Sequence, residues 1–303
     1  MKKILFLILA AMAGTMAYGQ EKRMAVVEFS TSYLRLQPDY ESPLETQELM
    51  GTVVEIVGES GYWREVITPQ PYKAWCTDQG LVEMNAEQLK EYEAAPKVIF
   101  NDLYGHVFMR PSEKAETLCD LVGGDIMRIV EKKGKWTEVM LPSGKTGYVQ
   151  SKMLKRHEGF RSIAVGEGSA ESISPETTEA IIAEAMKLVG VPYLWGGMSA
   201  KGVDCSGLVR ISHIMNGILL PRNASQQVKC GDRVPLDSLQ RGDLVYFGTP
   251  ATDDKPMRVT HVGIYLGNNR IIHSSHRVRI NSLIPGDADY YENAHRLIAA
   301  TRL

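Results

Sequence analysis

The first half of the chain carries short β-like runs of hydrophobic residues that are punctuated by Gly and Pro. V-V-E-I-V (53–57) precedes G-E-S-G-Y-W-R-E-V (58–66), and the same order recurs as I-M-R-I-V (126–130) before E-K-K-G-K-W-T-E-V (131–139). Strands of this length, separated by such turns, are typical of small all-β barrels. Because the pattern occurs twice, the sequence predicts two consecutive barrels.

We place the first barrel at residues 24–95 and the second at residues 96–158. The first copy contains an insertion, T-P-Q-P-Y-K (68–73), where a tight hairpin would otherwise sit. The tryptophans of both copies are predicted to lie in the barrel cores. These residues are Trp63, Trp75 and Trp136.

The pattern changes after the second barrel. Residues 159–174 are rich in Gly, Ser, Ala and Glu, which indicates a linker. Ser174 followed by Pro175 predicts a helix, since Ser is a favoured N-cap and Pro is favoured at the first helical position. Gly190 is predicted to end this helix. Its predicted apolar face comprises Ile181, Ile182, Ala185, Leu188 and Val189.

Residues 175–303 predict an α+β domain. A second helix is predicted over residues 205–215, and strands are predicted at Leu244–Phe247, Val262–Leu266 and Arg270–Ser274. Helices that precede a run of strands favour an antiparallel sheet with the helices packed against it. The fold class predicted for the whole chain is therefore α+β, with two small all-β domains in front.

The N-terminus is typical of an export signal. Two lysines precede an apolar stretch (residues 4–14) that is too short to span a bilayer, and the small residues Ala17 and Gly19 offer a cleavage site before Gln20. We assign residues 1–19 to a signal peptide. The protein is then expected to be exported, periplasmic or secreted, and soluble once the signal is removed. A retained membrane anchor is the alternative.

Composition narrows the class of protein. The chain has 34 basic and 36 acidic residues and a formal net charge of −2, which argues against nucleic acid as its main partner. No later run of apolar residues is long enough to predict a transmembrane segment. Four cysteines are too few for a disulfide framework. Three of them, Cys76, Cys119 and Cys230, are expected to be small buried residues. We expect the protein to be a monomer.

The fourth cysteine occupies a position suited to a nucleophile. Asp204 is a plausible N-cap, which places Cys205 in the first turn of the second predicted helix. The helix dipole and the free amide groups there favour a thiolate and are expected to lower the pKa of the thiol. The same amides could form an oxyanion hole.

A cysteine nucleophile needs a base, and the base needs an orienting partner. His261 opens one predicted strand, and His273 lies in the next. A three-residue loop, 267–269, would pair Leu266 with Arg270 and place both histidines on one face of the hairpin. A two-residue Asn-Asn loop would place them on opposite faces, so we predict the three-residue loop.

Metal binding is the alternative use of one cysteine and two histidines. The three residues lie on three separate elements and no C-x-x-C motif is present, which is unlike a structural zinc site. We therefore predict no metal and no cofactor. The remaining histidines are interpreted as surface or loop residues without a catalytic role. They are His106, His157, His213, His276 and His295.

Five motifs in the last 130 residues resemble the NlpC-type cell-wall cysteine peptidases, which are papain-like. They are P-Y-L-W-G-G (192–197), D-C-S-G-L (204–208), R-G-D-L (241–244), H-V-G-I-Y (261–265) and I-H-S (272–274). The two barrels resemble the bacterial SH3-like domains of cell-wall enzymes. The second copy departs from that pattern, because its R-x-x-P entry is shortened to Arg-Pro (110–111).

The resemblance implies a papain-like catalytic domain at residues 175–303 and a role for each matching residue. Cys205 matches the nucleophile, His261 the general base and acid, and His273 the polar residue that orients the base. Tyr193 matches a tyrosine whose hydroxyl lies near the thiol.

Two SH3-like copies before the catalytic domain are closest to the γ-D-glutamyl-L-diamino acid endopeptidases, also called dipeptidyl-peptidase VI. That subgroup cuts the γ-D-glutamyl-diamino acid bond of murein peptides that have a free N-terminal L-Ala, and releases L-Ala-γ-D-Glu. The resemblance implies that Asp204, Glu45 and Tyr72 bind the free ammonium. Ser206 and Ser225 match contacts to the D-Glu carboxylate, and Trp195 matches a pocket wall.

Simpler interpretations of three of these residues stay open. Asp204 is also explained as a helix cap alone, Glu45 as a solvated carboxylate, and Tyr72 as an exposed residue of the insertion. Two other functions stay open as well. One is the same chemistry on intact peptidoglycan in wall remodelling, and the other is a cell-wall binding protein without activity.

Overall fold

The computed structural model describes residues 22–70, 72–166 and 172–303. The predicted signal peptide and part of the predicted linker lie outside the described residues. The described chain forms two all-β domains followed by an α+β domain, which confirms the predicted fold class. Within the described residues, no helix is long and apolar enough to cross a membrane.

The first all-β domain is a seven-stranded antiparallel sheet with the order β3-β2-β6-β5-β4-β1-β7. Its strands are β1 (Arg23–Val27), β2 (Thr31–Arg35), β3 (Leu44–Leu49), β4 (Val53–Ser60), β5 (Trp63–Ile67), β6 (Lys73–Thr77) and β7 (Leu81–Met84). Helix α1 (Ala86–Ala94) follows. Asn85 begins this helix through a reciprocal capping box with Gln88.

The second all-β domain repeats this arrangement with the order β10-β9-β13-β12-β11-β8-β14. Its strands are β8 (Lys97–Phe100), β9 (Tyr104–Phe108), β10 (Thr117–Val122), β11 (Ile126–Lys133), β12 (Trp136–Met140), β13 (Thr146–Gln150) and β14 (Leu154–His157). The two repeated sequence patterns therefore correspond to β4–β5 and β11–β12, which form matching hairpins.

The prediction that the tryptophans lie in the barrel cores is confirmed for the burial of Trp63 and is wrong for Trp75 and Trp136. The core of the first domain consists of aliphatic side chains together with Cys76. Trp63 is buried, but it stacks on the exposed Tyr62 outside that core. Trp75 and Trp136 are only partly buried. Small branched side chains fill so narrow a sheet interior more densely than indole rings can.

The C-terminal domain packs helices against a six-stranded antiparallel sheet with the order β19-β24-β20-β21-β22-β23. Its helices are α2 (Pro175–Lys187), α3 (Cys205–Ile214) and α4 (Ala224–Gln227). The strands of the sheet are β19 (Asp232–Arg233), β20 (Leu244–Thr249), β21 (Arg258–Gly267), β22 (Arg270–Ser275), β23 (Arg277–Ser282) and β24 (Leu297–Arg302). Two short pairs accompany it, β15 (Arg161–Ser162) with β18 (Ile218–Leu219) and β16 (Met198–Ser199) with β17 (Gly202–Val203).

Helix α2 has the predicted cap, because the Ser174 side chain accepts a hydrogen bond from the Thr177 amide. Its predicted apolar face is buried except for Val189, which lies beyond the helix and is exposed. Helix α3 is more buried than predicted. Every one of its residues is buried, including His213, whose Nδ1 lies 2.7 Å from the Val209 carbonyl oxygen. The interpretation of His213 as a surface residue is therefore wrong.

The predicted three-residue loop between β21 and β22 is wrong. Gly267 pairs with Arg270, so the turn consists of two residues, Asn268 and Asn269. Both have positive φ angles of 50° and 55°, as a type I′ hairpin turn requires. A β-bulge at Leu266 then adds one unpaired residue to β21.

The bulge restores the side-chain parity that the short turn would have lost. Ile264 pairs with Ile272, which sets Gly263 opposite His273. A Cβ added to Gly263 would lie 3.2 Å from the Cβ of His273. His261 and His273 therefore share one face of the hairpin, as predicted, although for a different reason.

The first domain packs directly on the C-terminal domain through β3. The Met198 amide donates to the Gln47 side-chain oxygen at 2.8 Å. Arg210 on α3 pairs with Glu48 on β3 at 3.6 Å, and both side chains are almost completely buried. The first all-β domain therefore shares a buried interface with the helix that carries the predicted nucleophile.

Candidate active site

Cys205 is the first residue of α3, and local sequence fixes it there. Asp204 has an extended backbone, and its side chain accepts a hydrogen bond from the Gly207 amide at 2.7 Å. This confirms the predicted N-cap. A side chain at Gly207 would come within 2.0 Å of the Gly197 carbonyl oxygen, so only glycine allows the two segments to approach so closely.

The expected lowering of the Cys205 pKa is outweighed by burial. Burial raises the pKa of the thiol to about 12, and the negative charge of Asp204 adds to the rise. The backbone amides of Val262 and Ser206 act in the predicted direction and favour the thiolate. The thiol of the free protein is therefore protonated at neutral pH.

His261 and His273 are joined directly. His261 Nε2 lies 2.7 Å from His273 Nδ1. Burial lowers the pKa of His261 to about 3, with a further lowering from His273 and Arg279. Burial also lowers the pKa of His273 to about 4, although a hydrogen bond with Asn281 acts in the opposite direction. Both imidazoles are therefore neutral at neutral pH, as is the thiol of Cys205.

The Val262 amide ties the histidines to the cysteine. This amide interacts with Cys205, and Val262 follows His261 in β21. Helix α3 packs against both β21 and β22. The structure therefore brings the three predicted catalytic residues into one region between helix and sheet.

Two residues that contact the histidines were missed by sequence reasoning. Asn281 Oδ1 lies 2.9 Å from His273 Nε2. The Tyr291 ring packs edge-on against His273, with centroids 4.6 Å apart, and also against His261. Strand parity could have found Asn281, because β23 follows β22 in a tight hairpin. No local signal marks Tyr291, which a long connection returns to the sheet.

Arg222 was also missed, and it organises the other side of the cysteine. Its guanidinium binds both carboxylate oxygens of Asp204, at 2.5 and 3.1 Å, and donates to Ser206 Oγ at 3.0 Å. Its Nε donates to Thr46 Oγ1 on β3 at 2.8 Å. Arg222 therefore links the cap of the cysteine helix to the first all-β domain.

Asp204 has little capacity left for a substrate. Its Oδ1 accepts from Gly207, Ser206 and Arg222, and its Oδ2 accepts from Gly196 and Arg222. These bonds fit the cap interpretation. A substrate ammonium would have to displace one of these donors.

Glu45 and Tyr72 meet at the edge of this region. The Tyr72 hydroxyl donates to the Glu45 carboxylate at 2.5 Å. Burial raises the pKa of Tyr72 to about 12, helped by Glu45, whereas Arg222 and Asn223 act in the opposite direction. A Cβ on Gly196 would lie 3.1 Å from the Glu45 backbone. Glu45 and Tyr72 therefore face the catalytic domain.

The remaining predicted residues are spread around this region. Tyr193 is half-buried, and burial raises its pKa to about 12, with Cys205 and Asp204 adding to the rise. The Tyr193 hydroxyl is therefore close enough to Cys205 to interact with it electrostatically. Trp195 is 64% exposed. Ser206 is buried and already bonded, whereas Ser225 is exposed on α4.

Metal binding gains no support from this geometry. Among the described residues, no group of three or more His, Cys, Asp or Glu side chains could hold a metal ion. The four cysteines all lie in the described part of the chain, and none of them forms a disulfide.

Comparison with known proteins places the site in a family. Residues 190–295 match the NlpC/P60 family. A protein of Bacillus cereus named gamma-D-glutamyl-L-lysine dipeptidyl-peptidase is 28% identical over 84% of this chain and 75% of its own length. Dipeptidyl-peptidase 6 of Lysinibacillus sphaericus is 28% identical over 86% of this chain and 91% of its own length.

A solved structure supports the fold over most of the chain. An NlpC/P60 family protein of Bacillus cereus superposes with a TM-score of 0.75 at 23% identity, over 92% of this chain and 99% of that chain. Residues 190–295 therefore form an NlpC/P60 family domain, and two all-β domains precede it in the chain.

Proposed function

We propose that the protein hydrolyses the γ-D-glutamyl-diamino acid bond of murein stem peptides that have a free N-terminal L-Ala, releasing L-Ala-γ-D-Glu. The observation that carries this proposal is the Tyr72–Glu45 hydrogen bond at the edge of the catalytic region. The names of the relatives, gamma-D-glutamyl-L-lysine dipeptidyl-peptidase and dipeptidyl-peptidase 6, support the same substrate class.

The proposed chemistry begins from a neutral thiol and a neutral imidazole. Cys205 Sγ attacks the γ-carbonyl carbon of D-Glu while its proton passes to His261. The tetrahedral intermediate collapses, the C–N bond breaks, and His261 returns the proton to the leaving amine of the diamino acid. Water then attacks the thioester carbon while His261 takes one of its protons; the C–S bond breaks, that proton returns to Cys205 Sγ, and L-Ala-γ-D-Glu leaves with the new carboxyl group. Amides at the start of α3 would bind the oxyanion.

We assign the substrate ammonium chiefly to Glu45. A buried ammonium needs an anion and further acceptors. The Glu45 carboxylate already accepts one hydrogen bond from Tyr72, which fixes its position, and the other carboxylate oxygen can accept from the substrate. Asp204 contributes its charge from behind the cysteine, and its main role is to cap α3 and hold Arg222.

The remaining assignments follow the resemblance. Tyr193 is assigned to the vicinity of the thiol, and Trp195 to a wall at the exposed rim. Ser225 is assigned to the D-Glu carboxylate. Ser206 would act there only by exchanging its present bonds to Asp204 and Arg222.

The position of β3 favours trimmed peptides over intact wall. β3 packs along residues 196–198, which follow the rim residue Trp195. A substrate that extends beyond L-Ala would meet this strand and the Glu45–Tyr72 pair. We propose that the first all-β domain excludes longer chains, and that the protein is an exported monomer that degrades released murein peptides.

The test uses L-Ala-γ-D-Glu-L-Lys, its meso-diaminopimelate analogue, and the N-acetylated form of each. We expect kcat/KM for the free amines to exceed that for the acetylated forms about 100-fold, because an ammonium–carboxylate hydrogen bond contributes roughly 1.5–3 kcal/mol. Glu45→Gln should raise KM about 10-fold or more for the free amines only. Cys205→Ala should abolish all cleavage.

Glu41→Gln provides the matched control, since Glu41 is an exposed acid of the same domain. Equal cleavage of free and acetylated peptides would contradict the assignment of Glu45. Clearing of a suspension of purified sacculi would instead favour the wall-remodelling alternative.

A further inference from the structure

We infer that Asn281 is a positioning residue that determines which nitrogen of each active-site imidazole carries a proton. It does so by holding His273 in one tautomer, and His273 in turn holds His261. This inference rests on the proposed roles of Cys205 and His261 in the cysteine peptidase site.

Strand pairing places Asn281 beside His273. His273 on β22 pairs with Arg279 on β23, so Asn281 is the diagonal neighbour on the same face. Asn281 is only 6% exposed, and its Oδ1 lies 2.9 Å from His273 Nε2. Water therefore has little room to replace this contact.

The orientation of the Asn281 amide is set by its other end. Its Nδ2 donates to the Asp289 carbonyl oxygen at 2.6 Å, and the Ser282 amide donates to the same oxygen at 3.0 Å. A backbone carbonyl can only accept, so the NH₂ group must face Asp289 and Oδ1 must face His273. The connection from β23 back to residue 289 therefore controls the direction of the amide.

The order of protons follows from this direction. Oδ1 of Asn281 can only accept, so His273 carries its proton on Nε2. In a neutral imidazole the other nitrogen is then an acceptor, and His273 Nδ1 accepts from Nε2–H of His261. Nδ1 of His261 is left unprotonated, and it is the nitrogen available to take the proton of Cys205.

The same order survives proton transfer. When His261 becomes an imidazolium it gains a proton on Nδ1, and its Nε2–H still donates to His273. No ring has to turn and no other proton has to move. A pre-set hydrogen-bond order of this kind avoids reorganisation during the reaction.

A carboxylate in place of the amide would reverse the order. Asp at position 281 would favour a doubly protonated His273, whose Nδ1–H would then donate to His261 Nε2. Neutral His261 would have to carry its proton on Nδ1, where it could no longer act as a base. A neutral amide at this position therefore keeps Nδ1 of His261 unprotonated, whereas a carboxylate would not.

The other groups around the two imidazole rings do not change which nitrogens carry the protons. Arg279 on β23 disfavours a positive charge on either imidazole. Tyr291 covers both rings from the connecting segment, and Cys205 faces them from α3. The Asp289 carboxylate, which could otherwise attract a proton, pairs with Arg270.

The experiment compares Asn281→Asp with Asn268→Asp, which adds the same charge to the exposed turn of the neighbouring hairpin. We expect Asn281→Asp to move the acidic limb of the kcat/KM profile up by about one pH unit or more. Asn281→Leu should lower kcat about 10-fold or more with KM within about twofold. Asn268→Asp should change neither.

Imidazole ¹⁵N NMR of the unaltered protein provides a readout that needs no substrate and no folded variant. It should find both histidines neutral and protonated on Nε2. A proton on Nδ1 of His261, or an unmoved acidic limb in a folded Asn281→Asp variant, would overturn the inference. If the NMR result holds but the proposed peptides are not cleaved, the substrate assignment has failed and the role of Asn281 stands.

Discussion

At the scale of single residues, the three candidate catalytic residues, Cys205, His261 and His273, are neutral. Burial dominates the pKa of Cys205 and of both histidines, and the helix N-terminus only moderates its effect on the thiol. In the proposed mechanism, activation of Cys205 therefore depends on transfer of its thiol proton to His261 while the substrate reacts.

A buried protonated thiol should react slowly with iodoacetamide. Far below the thiol pKa of about 12, the thiolate fraction grows tenfold per pH unit. We expect the alkylation rate of Cys205 to rise about tenfold per unit from pH 7 to pH 9. The rate is measured by mass spectrometry, with Cys205→Ala as the blank. A rate that is already constant below pH 7 would mean that the resting site is a thiolate–imidazolium pair.

Local signals predicted the nucleophile, because an N-cap followed by a cysteine is visible in five consecutive residues. Arg222 and Tyr291 had no such signal, whereas Asn281 could be found only from the parity of two paired strands. Arg222 acts through a partner that is distant in sequence, Thr46. The roles of these residues depend on tertiary packing, which periodicity along one strand or helix does not report.

At the scale of elements, the hairpin of β21 and β22 decides whether the two histidines meet. Counting residues predicted the correct face but the wrong turn, because a bulge and a shorter loop compensate each other. Bulges arise from pairing with the partner strand, so a single strand sequence carries little trace of them. Helix α2, by contrast, followed its sequence signals closely at both ends.

Deletion of Leu266 tests the function of the bulge. Without Leu266, Gly267 can still pair with Arg270 and Tyr265 with Ile271, so His261 and His273 stay on one face of the hairpin. We expect peptide cleavage to stay within about tenfold of the parent, because the deletion removes only the bulge and the base keeps its partner. Cleavage kinetics and circular dichroism measure activity and fold together.

Asn269→Gly is the control for the deletion of Leu266. It changes the same turn, but glycine accepts the positive φ of this position without strain. Activity should persist in this variant. Loss of cleavage in the folded deletion variant would show that the bulge itself, and not only the strand register, aligns the histidines.

At the scale of the whole molecule, the first all-β domain and the peptidase domain share one buried interface. On β3, the Glu45 carboxylate accepts from Tyr72 at the edge of the candidate site, and Thr46 accepts from Arg222. The next two residues of the strand also contact the C-terminal domain. Gln47 accepts a hydrogen bond from the Met198 amide, and Glu48 forms an ion pair with Arg210. The same strand therefore carries the residue proposed to bind the substrate ammonium and the residues that hold the two domains together.

Glu48→Gln tests this coupling through stability. Glu48 and Arg210 are almost completely buried, so removing one charge leaves the other buried and unpaired. Breaking such a pair costs roughly 3–5 kcal/mol of unfolding free energy, whereas replacing both partners with apolar residues costs much less. We expect urea unfolding to give this loss for Glu48→Gln and a smaller loss for Glu48→Met combined with Arg210→Met. Glu41→Gln is the exposed control and should stay within about 0.5 kcal/mol of the parent. Equal stability of Glu48→Gln and the parent would mean that the first domain docks without help from this pair.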